Sequence, residues 1–182
     1  LVAGLGIGGL AIAMAAKDTI ANVFGSVTVL SDRPFNIGDW VKINNVEGSV
    51  QSLGFRSTRI RTFYDSVITV PNSNLLTSAV DNMGQRNYRR YSTKLDIVYS
   101  TSPEKITEFC EAIRQLILDQ EHTRKDSFHV YFNNMSESSL KIMLYVFFQA
   151  SDWSTELQAR HDLLMGIMKL AADLGVEFAF PT

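Results

Sequence analysis

The sequence is poor in the residues that cross-link small proteins or carry out catalysis. Its 182 residues include one cysteine, Cys110, which excludes an internal disulfide and is typical of a reducing compartment. Its three histidines, His122, His129 and His161, have no cysteine or carboxylate at the spacing of metal ligands. Walker loops, Gly-x-Ser-x-Gly elbows and local Cys–His signatures are also missing. We therefore predict no enzyme activity, no metal site and no cofactor.

Two short patterns resemble functional sites without meeting their requirements. Asp152, Glu156 and Asp162 are carboxylates close together in sequence, and we interpret them as capping and solvated helix residues. The run GLGIGG, residues 4 to 9, fits the Gly-x-Gly-x-x-Gly dinucleotide fingerprint. That fingerprint needs a strand before it and a β-α-β unit around it. Only three residues precede Gly4 and no such unit follows, so we take the match as accidental.

Charge is absent from the start of the chain. Residues 1–16 contain no charged or hydrogen-bonding side chain, and more than half of them are Gly or Ala. The run is slightly shorter than the ~20 apolar residues of a transmembrane helix, and we expect residue 1 not to be the true start. It also lacks the basic start of a signal peptide. The pattern predicts a membrane span.

Placed on a helix at ~100° per residue, these residues separate into three strips. The strip of larger residues contains Ala3, Ile7, Leu10 and Met14. The flanking strips contain Gly4, Gly8, Ala11 and Ala15 on one side, and Gly6, Gly9, Ala13 and Ala16 on the other. Small flanks allow close approach by two neighbouring helices, as in a ring of identical subunits. The larger strip would then line a pore, with Leu10 and Met14 as its constriction. A buried helix has the same pattern, and the pattern alone does not decide between the two.

Lys17 and Asp18 interrupt the apolar run. We predict Asp18 as the N-cap of a second, amphipathic helix over residues 19–31, where apolar side chains recur at helical spacing. This predicts a kink at Lys17 and Asp18, with the second half lying along the membrane surface. Lys17 is a candidate for the pore mouth, and the alternative is that both residues mark the lipid–water boundary.

The charges that follow are unevenly distributed. Residues 33–90 contain eight basic and four acidic side chains, whereas residues 91–182 contain eight basic and thirteen acidic ones. A basic segment directly after a span indicates the cytoplasmic side of the membrane, or contact with anionic lipid headgroups. We expect the soluble part to be cytoplasmic.

The soluble part shows two successive patterns. Residues 39–83 contain five short β signals separated by turns, which suggests a small Sm-like barrel. From residue 92 the order is β-α-β-β-α-β, the ferredoxin-like arrangement, with Ser102 as an N-cap, Gly175 as a C-cap and a last strand at Val176–Phe180. We predict an α+β membrane protein with three parts: a pore-lining helix at 1–31, an Sm-like β domain at 32–90 and a ferredoxin-like α/β domain at 91–182.

An RNA-binding module is the alternative function. Sm-like barrels can bind RNA, and six arginines lie in or beside this region: Arg56, Arg59, Arg61, Arg86, Arg89 and Arg90. The chain's net charge of −2 and its apolar start both disfavour that function. The run YVFFQA also lacks the Arg-Gly start of the aromatic RNA-recognition motif. We therefore expect no nucleic-acid partner.

Several motifs together carry a family resemblance. GGLAIAMAAKDTIANVFGSV followed by DRPFNIGDWV, then VPNSNL and the terminal FAFP, resemble the small-conductance mechanosensitive channels, the MscS family, most of all its low-conductance branch. The resemblance covers nearly the whole chain and implies that Leu10 and Met14 are the two constriction positions. Asp18 stands where other members carry a helix-breaking glycine.

The resemblance also implies a function. It implies a channel that opens under membrane tension and releases ions and small solutes during hypoosmotic shock. It further implies a homo-oligomer of seven copies in the lipid of a bacterial inner membrane, multi-pass, with two more helices before residue 1 and the soluble domains in the cytoplasm.

Overall fold

The structure, a computed structural model, describes the backbone of residues 2–180 and the side chains of residues 8–180. The chain divides into two compact units, Leu1–Arg86 and Asn87–Thr182. The first unit combines the apolar helix with a β sheet, and the second is a layer of helices on a β sheet. The protein is therefore of the α+β class, with one candidate apolar helix among its described residues.

The first unit begins with one long helix, α1, Val2–Asp32. The prediction that a second helix begins at Asp18 is wrong, because α1 continues through Lys17 and Asp18. Asp18 cannot act as an N-cap there, since the amides that follow it already belong to the helix. The Asn22 side chain even donates to the Asp18 carbonyl oxygen at 2.8 Å, one turn back. α1 ends just before Arg33, as expected because Arg33 precedes Pro34 and the residue before a proline avoids the helical conformation.

An antiparallel sheet follows, in the order β4-β3-β2-β1-β5. Its strands are β1 (Trp40–Ile43), β2 (Val46–Leu53), β3 (Ser57–Arg61), β4 (Val67–Pro71) and β5 (Val80–Asn82). A short helix, α2 (Asn72–Thr77), connects β4 to β5. The apolar core of this unit comes from alternating strand positions, the end of α1, the loop that follows it and α2: Val29, Phe35, Val41, Ile43, Val50, Ile60, Val70 and Leu75.

The last strand of this sheet ends before residue 83, where the predicted β segment ends. β5 ends at Asn82, and a 3-10 turn over Met83–Gln85 follows it. The Asn82 side chain accepts hydrogen bonds from the Gly84 and Gln85 amides, at 2.9 and 3.3 Å. This capping satisfies the free amides of the turn and ends the strand.

The second unit contains β6 (Arg89–Ile97), α3 (Pro103–Asp119), β7 (His129–Met135), β8 (Leu140–Phe148) and α4 (Trp153–Leu174). The three strands pair antiparallel in the order β6-β8-β7. The predicted caps are confirmed: the Ser102 side chain accepts from the Lys105 amide at the start of α3, and Gly175 ends α4 with φ of 63°. Both helices pack on one face of the sheet, around Phe109, Ile113, Ile142 and Leu163.

The predicted strand at residues 176–180 is reduced to a single bridge. Phe178 pairs with Ile97 of β6, and two backbone bonds, Val98 to Glu177 and Ala179 to Asp96, flank that bridge. The centre of the Phe178 ring also lies 6.5 Å from that of the Phe109 ring, so side-chain packing adds to the backbone bonds that hold this segment.

Candidate functional site

The candidate functional site is α1 together with the residues that join it to the first unit's sheet. Its segment Gly8–Asp32 is long and apolar enough to cross a membrane, and no other helix in the described part of the chain meets that criterion. Its 25 residues correspond to a rise of ~38 Å, against a hydrocarbon thickness of ~30 Å. Length and composition therefore agree with the predicted span.

The first half of this segment is exposed on every side. Leu10, Ile12 and Met14 are 64%, 73% and 71% exposed. A Cβ atom added to Gly8 or Gly9 would meet nothing within 4 Å. The other small residues and the two charged ones are also mostly exposed: Ala11, Ala13, Ala15, Ala16, Lys17 and Asp18. Neither the large strip nor the small strips are covered within the chain, so these roles stay predictions. The predictions for the side chains of Ala3, Gly4, Gly6 and Ile7 lie outside the described residues.

The second half of α1 has two different faces. Gly25, Ser26 and Val29 are buried against the rest of the first unit. Larger apolar side chains are exposed on the opposite side: Ile20, Phe24, Val27 and Leu30. Residues spaced by three and four positions share one side of a helix, so this half has a small, partly polar side that packs and an apolar side that does not.

The packed side of α1 approaches the backbone of α2 very closely. A Cβ atom on Gly25 would lie 2.5 Å from the carbonyl oxygen of Asn72 and 3.1 Å from the Ser73 amide nitrogen. The Asn22 side chain accepts a hydrogen bond from that Ser73 amide at 3.1 Å. A glycine at position 25 is therefore what allows the helix to approach α2.

Asn72 is the hub of this junction and is only 2% exposed. Its side-chain amide nitrogen donates to the Ser26 hydroxyl at 2.7 Å and to the Gly54 carbonyl oxygen at 2.9 Å. Its side-chain oxygen accepts from the Thr58 hydroxyl at 2.8 Å. Its backbone amide donates to the Arg56 carbonyl oxygen at 2.9 Å. One buried side chain thus ties α1 to the β2–β3 turn and to β3.

Sequence reasoning missed this hub. The run VPNSNL, which contains Asn72, carries only part of the family resemblance in the sequence. An asparagine is usually exposed, and its partner Ser26 lies 46 residues earlier in the chain. No local pattern therefore identifies it.

The second unit contains one carboxylate whose predicted environment is wrong. Glu156 was interpreted as a capping or solvated residue, but it is 7% exposed. It accepts from Arg89 at 3.2 Å and pairs with Arg160, whose guanidinium lies 4.4 Å from the centre of the Tyr91 ring. A buried carboxylate is tolerated only with such partners, so this cluster joins the starts of β6 and α4.

The neighbouring carboxylates have the predicted kinds of role. Asp152 caps α4: it accepts from the Thr155 hydroxyl at 2.7 Å and from the Thr155 amide at 2.9 Å. These bonds favour the ionised form and lower the pKa of Asp152 to about 2. Asp162 accepts from Gln158 one turn earlier at 2.9 Å. These contacts stabilise the helix and do not suggest catalysis.

The cysteine, histidines and carboxylates that the structure describes give no sign of a reactive or metal-binding site. Burial raises the pKa of the Cys110 thiol, which keeps it protonated and weakly nucleophilic. Within the described residues, no three His, Cys, Asp or Glu side chains are grouped so that they could hold a metal ion.

Four of the six arginines of the RNA-binding alternative have partners in the structure. Arg61 pairs with Asp65 at 2.7 Å, and Arg89 pairs with Glu156. Arg86 stacks over the Trp40 ring at 4.6 Å, and Arg90 lies 5.8 Å from the Tyr145 ring. Each of these four therefore already has a partner within its own unit.

Two family models match consecutive parts of the chain. The β-domain of mechanosensitive ion channels matches residues 18–85, and the C-terminal domain of the mechanosensitive ion channel MscS matches residues 92–178. Both descriptions name channels, and neither names an enzyme or a nucleic-acid-binding protein.

Individual relatives agree with the family models. The low conductance mechanosensitive channel YnaI of Escherichia coli is 38% identical over 97% of this chain and 52% of its own length. The small-conductance mechanosensitive channel MscMJ of Methanocaldococcus jannaschii is also 38% identical, over all of this chain and 52% of its own length. The chain thus spans about half the length of these relatives. Equal identity to both does not assign it to a low-conductance branch.

Solved structures have the same fold. The closed-state structure of Helicobacter pylori MscS matches with a TM-score of 0.84 at 24% identity, covering all of this chain and 70% of that one. Arabidopsis thaliana MSL1 A320V matches with a TM-score of 0.89 at 21% identity, covering 97% and 66%. The RNA-binding alternative finds no support among these proteins. On the matched domains and relatives, the chain belongs to the MscS family of mechanosensitive ion channels.

Proposed function

We propose that this chain forms the pore helix and the soluble part of a homo-oligomeric channel that opens under membrane tension. The channel releases ions and small solutes during hypoosmotic shock. The observation that carries the proposal is the two-part character of α1. Its first half is apolar and exposed all round, while Gly25 and Asn72 fasten its second half to a folded β unit. A helix of this kind can both line a pore and respond to movement of the membrane.

The pore is lined by the strip of larger residues. Leu10 and Met14 form its constriction, and Ala3, Ile7 and Lys17 line it above and below. Rings of apolar side chains in a narrow pore exclude water and so block ions without a physical plug. The strips of small residues let neighbouring copies of the helix approach closely on both sides.

The second half of α1 lies at the membrane surface. The whole helix has 31 residues, a rise of ~46 Å, which exceeds the ~30 Å of the hydrocarbon core. A bend at Lys17 and Asp18, within the continuous helix, places Ile20, Phe24 and Val27 in the interface and keeps the Gly25 side on the β unit. Tension that thins or widens the bilayer then acts on the pore through this half.

The soluble domains extend from residue 32. The five-stranded sheet supports an Sm-like barrel over 32–90, because all five short strands lie in one antiparallel sheet, with β4 and β5 at its edges. The order β6-β8-β7, with Phe178 bridging the outer side of β6, supports a ferredoxin-like domain over 91–182. The basic surplus of residues 33–90 supports a cytoplasmic location.

The assembly and its membrane are proposed by resemblance. We place the channel in a bacterial inner membrane, as a multi-pass protein of seven copies in contact with lipid. Its relatives are about twice as long as this chain, which leaves room for further membrane helices. The permeating ions are its only proposed small partners.

The test is electrical recording from the full-length protein in a bacterial strain that lacks its own mechanosensitive channels. Suction applied to membrane patches should open a channel, and expression should raise survival after a shift to low osmolarity. Patches that show no tension-activated current, although the protein is inserted in the membrane, would refute the proposal.

A further inference from the structure

The turn between β2 and β3 is fixed against the second half of α1. Ser26 of α1 donates a hydrogen bond to the Phe55 carbonyl oxygen, and the Asn72 side chain donates to the Gly54 carbonyl oxygen at 2.9 Å. Two bonds to consecutive backbone carbonyl groups set the position of this turn relative to the helix. We call Gly54, Phe55 and Arg56 the helix-side turn.

A small apolar groove connects the helix-side turn to the uncovered side of α1. It has a volume of about 120 Å³, and its apolar lining includes Val29, Leu30, Leu53 and Phe55. Leu30 is 60% exposed and belongs to the apolar side of α1 that packs against nothing in the first unit. The apolar surface of the helix therefore continues across the groove to the turn.

The helix-side turn presents an apolar ring and a positive charge to its surroundings. The Phe55 ring is 72% exposed and lies outside the apolar core of the first unit. Arg56 is also exposed, and no carboxylate among the described residues lies within ion-pair distance of it. Residues 48–62 contain three arginines and no acidic residue. An exposed ring beside an unpaired cation is typical of segments that lie at the level of lipid headgroups.

We propose that the helix-side turn is a second membrane contact and binds an anionic phospholipid. Phe55 enters the boundary between headgroups and acyl chains, and Arg56 binds the lipid phosphate, whose oxygens match the planar guanidinium. The inference rests on the proposed function, which places the second half of α1 at the membrane surface. It adds the class of lipid and the residues that hold it.

The turn at the other end of β3 lacks this combination. Tyr64, in the β3–β4 turn, is 95% exposed, but the nearby Arg61 is already paired with Asp65 at 2.7 Å. The five residues of β3 separate the two turns by ~17 Å. Tyr64 is therefore a matched position for Phe55: an exposed aromatic residue in the same sheet, away from α1.

The test of the membrane contact uses tryptophan as a local reporter in the full-length protein, reconstituted in lipid bilayers. Phe55→Trp places the reporter in the helix-side turn, and Tyr64→Trp places it at the other end of β3. Lipids with brominated acyl chains quench tryptophan emission on contact, and the wild-type emission, which includes Trp40 and Trp153, is subtracted. Phe55→Trp should be quenched about twofold or more as strongly as Tyr64→Trp.

The test of the lipid class varies the headgroup. Brominated phosphatidylglycerol and brominated phosphatidylcholine are compared at equal fractions, and Phe55→Trp should favour the anionic lipid about fivefold in apparent affinity. Arg56→Gln, added to the reporter variant, should abolish that preference. Arg59→Gln is the matched control and should retain it. Because Thr58 of β3 bonds the Asn72 side chain, the next side chain of the strand points away from α2.

The inference is overturned if Phe55→Trp is quenched no more than Tyr64→Trp, the result expected when another protein segment covers the turn. It is also overturned if neither lipid is preferred, or if Arg59→Gln removes the preference as fully as Arg56→Gln. Leu30→Trp, in the same groove, repeats the headgroup comparison if Phe55→Trp assembles poorly. Tension-activated current from the wild type would still support the channel in each case, whereas absence of that current would refute the channel itself.

Discussion

Gly25 of α1 lies directly against the backbone of Asn72 at the start of α2. A Cβ atom on residue 25 would come within 2.5 Å of the Asn72 carbonyl oxygen and 2.6 Å of its carbonyl carbon. Backbone atoms cannot rotate away as a flexible side chain can, so this contact sets how closely the helix approaches the β unit. It joins the segment proposed to feel the membrane to the part of the chain that is held by the sheet.

Gly25→Ala should therefore loosen the junction. Overpacking of this kind typically costs ~1–3 kcal/mol, and we expect a lower thermal unfolding midpoint. Gly8→Ala is the control, because a Cβ there meets nothing within 4 Å. Alanine is the better helix former by roughly 1 kcal/mol, so the control should be neutral or stabilising. Equal effects of both changes would argue against the close contact.

Asn72→Ala should destabilise the same junction by another route. It removes one side chain that bonds Ser26, Gly54 and Thr58, and it leaves buried polar groups without their partner. Such losses cost ~1–3 kcal/mol each. Asn74→Ala, at an exposed position two residues later, serves as the control. Unfolding in denaturant should separate the two variants, and similar midpoints would contradict the hub role of Asn72.

Met14→Ser should make the channel leaky. A hydroxyl in place of a thioether side chain lowers the barrier to wetting at the proposed constriction. We expect current without applied tension and slower growth of cells that express the variant. Ile12→Ser introduces the same hydroxyl on the side of the helix away from Leu10 and should not leak. If closed-state current in both variants matches wild type, Met14 does not line the constriction.

Gly8→Ala combined with Gly9→Ala should raise the tension needed for opening. Both glycines make the helix easy to bend next to Leu10, and each costs helix stability of roughly 1 kcal/mol relative to alanine. The alanine variant stiffens the helix with little added bulk, so assembly should be retained. The threshold is measured against a reference channel in the same patch. An unchanged threshold would leave close packing as the only role of these glycines.

The stabilisation that Asp152 gives to the second unit should be lost in acid. Its pKa is lowered from 3.8 to about 2 in the folded protein by its bonds to Thr155, so between these values the unfolded chain binds more protons. The stabilisation is complete above about pH 4 and is lost as the pH falls through about 2. Asp152→Asn keeps a good N-cap without a titrating group. The free energy of unfolding, measured at about pH 4 and at about pH 2, should fall less in this variant than in the wild type. An equal fall in both proteins would contradict the role of Asp152.

Local signals in the sequence were enough to place most elements. The five short strands within residues 39–83, the N-cap at Ser102 and the C-cap at Gly175 were all predicted and are all observed. Each depends on residues within one or two turns of the chain, such as a hydroxyl that accepts from a nearby amide. The family resemblance was equally accessible, because it rests on short motifs that survive in order along the chain.

Other features depended on residues far apart in the sequence. Asn72 and Glu156 are polar side chains that local rules place at the surface, yet both are buried because Ser26, 46 positions away, and Arg89, 67 positions away, complete their hydrogen bonds. The continuity of α1 was also misjudged, since a good capping residue such as Asp18 does not interrupt a helix whose backbone bonds are already made. The sequence alone determined most of the elements and the family. Only the tertiary structure decided which polar groups find distant partners, because the cost of burying them depends on those partners being present.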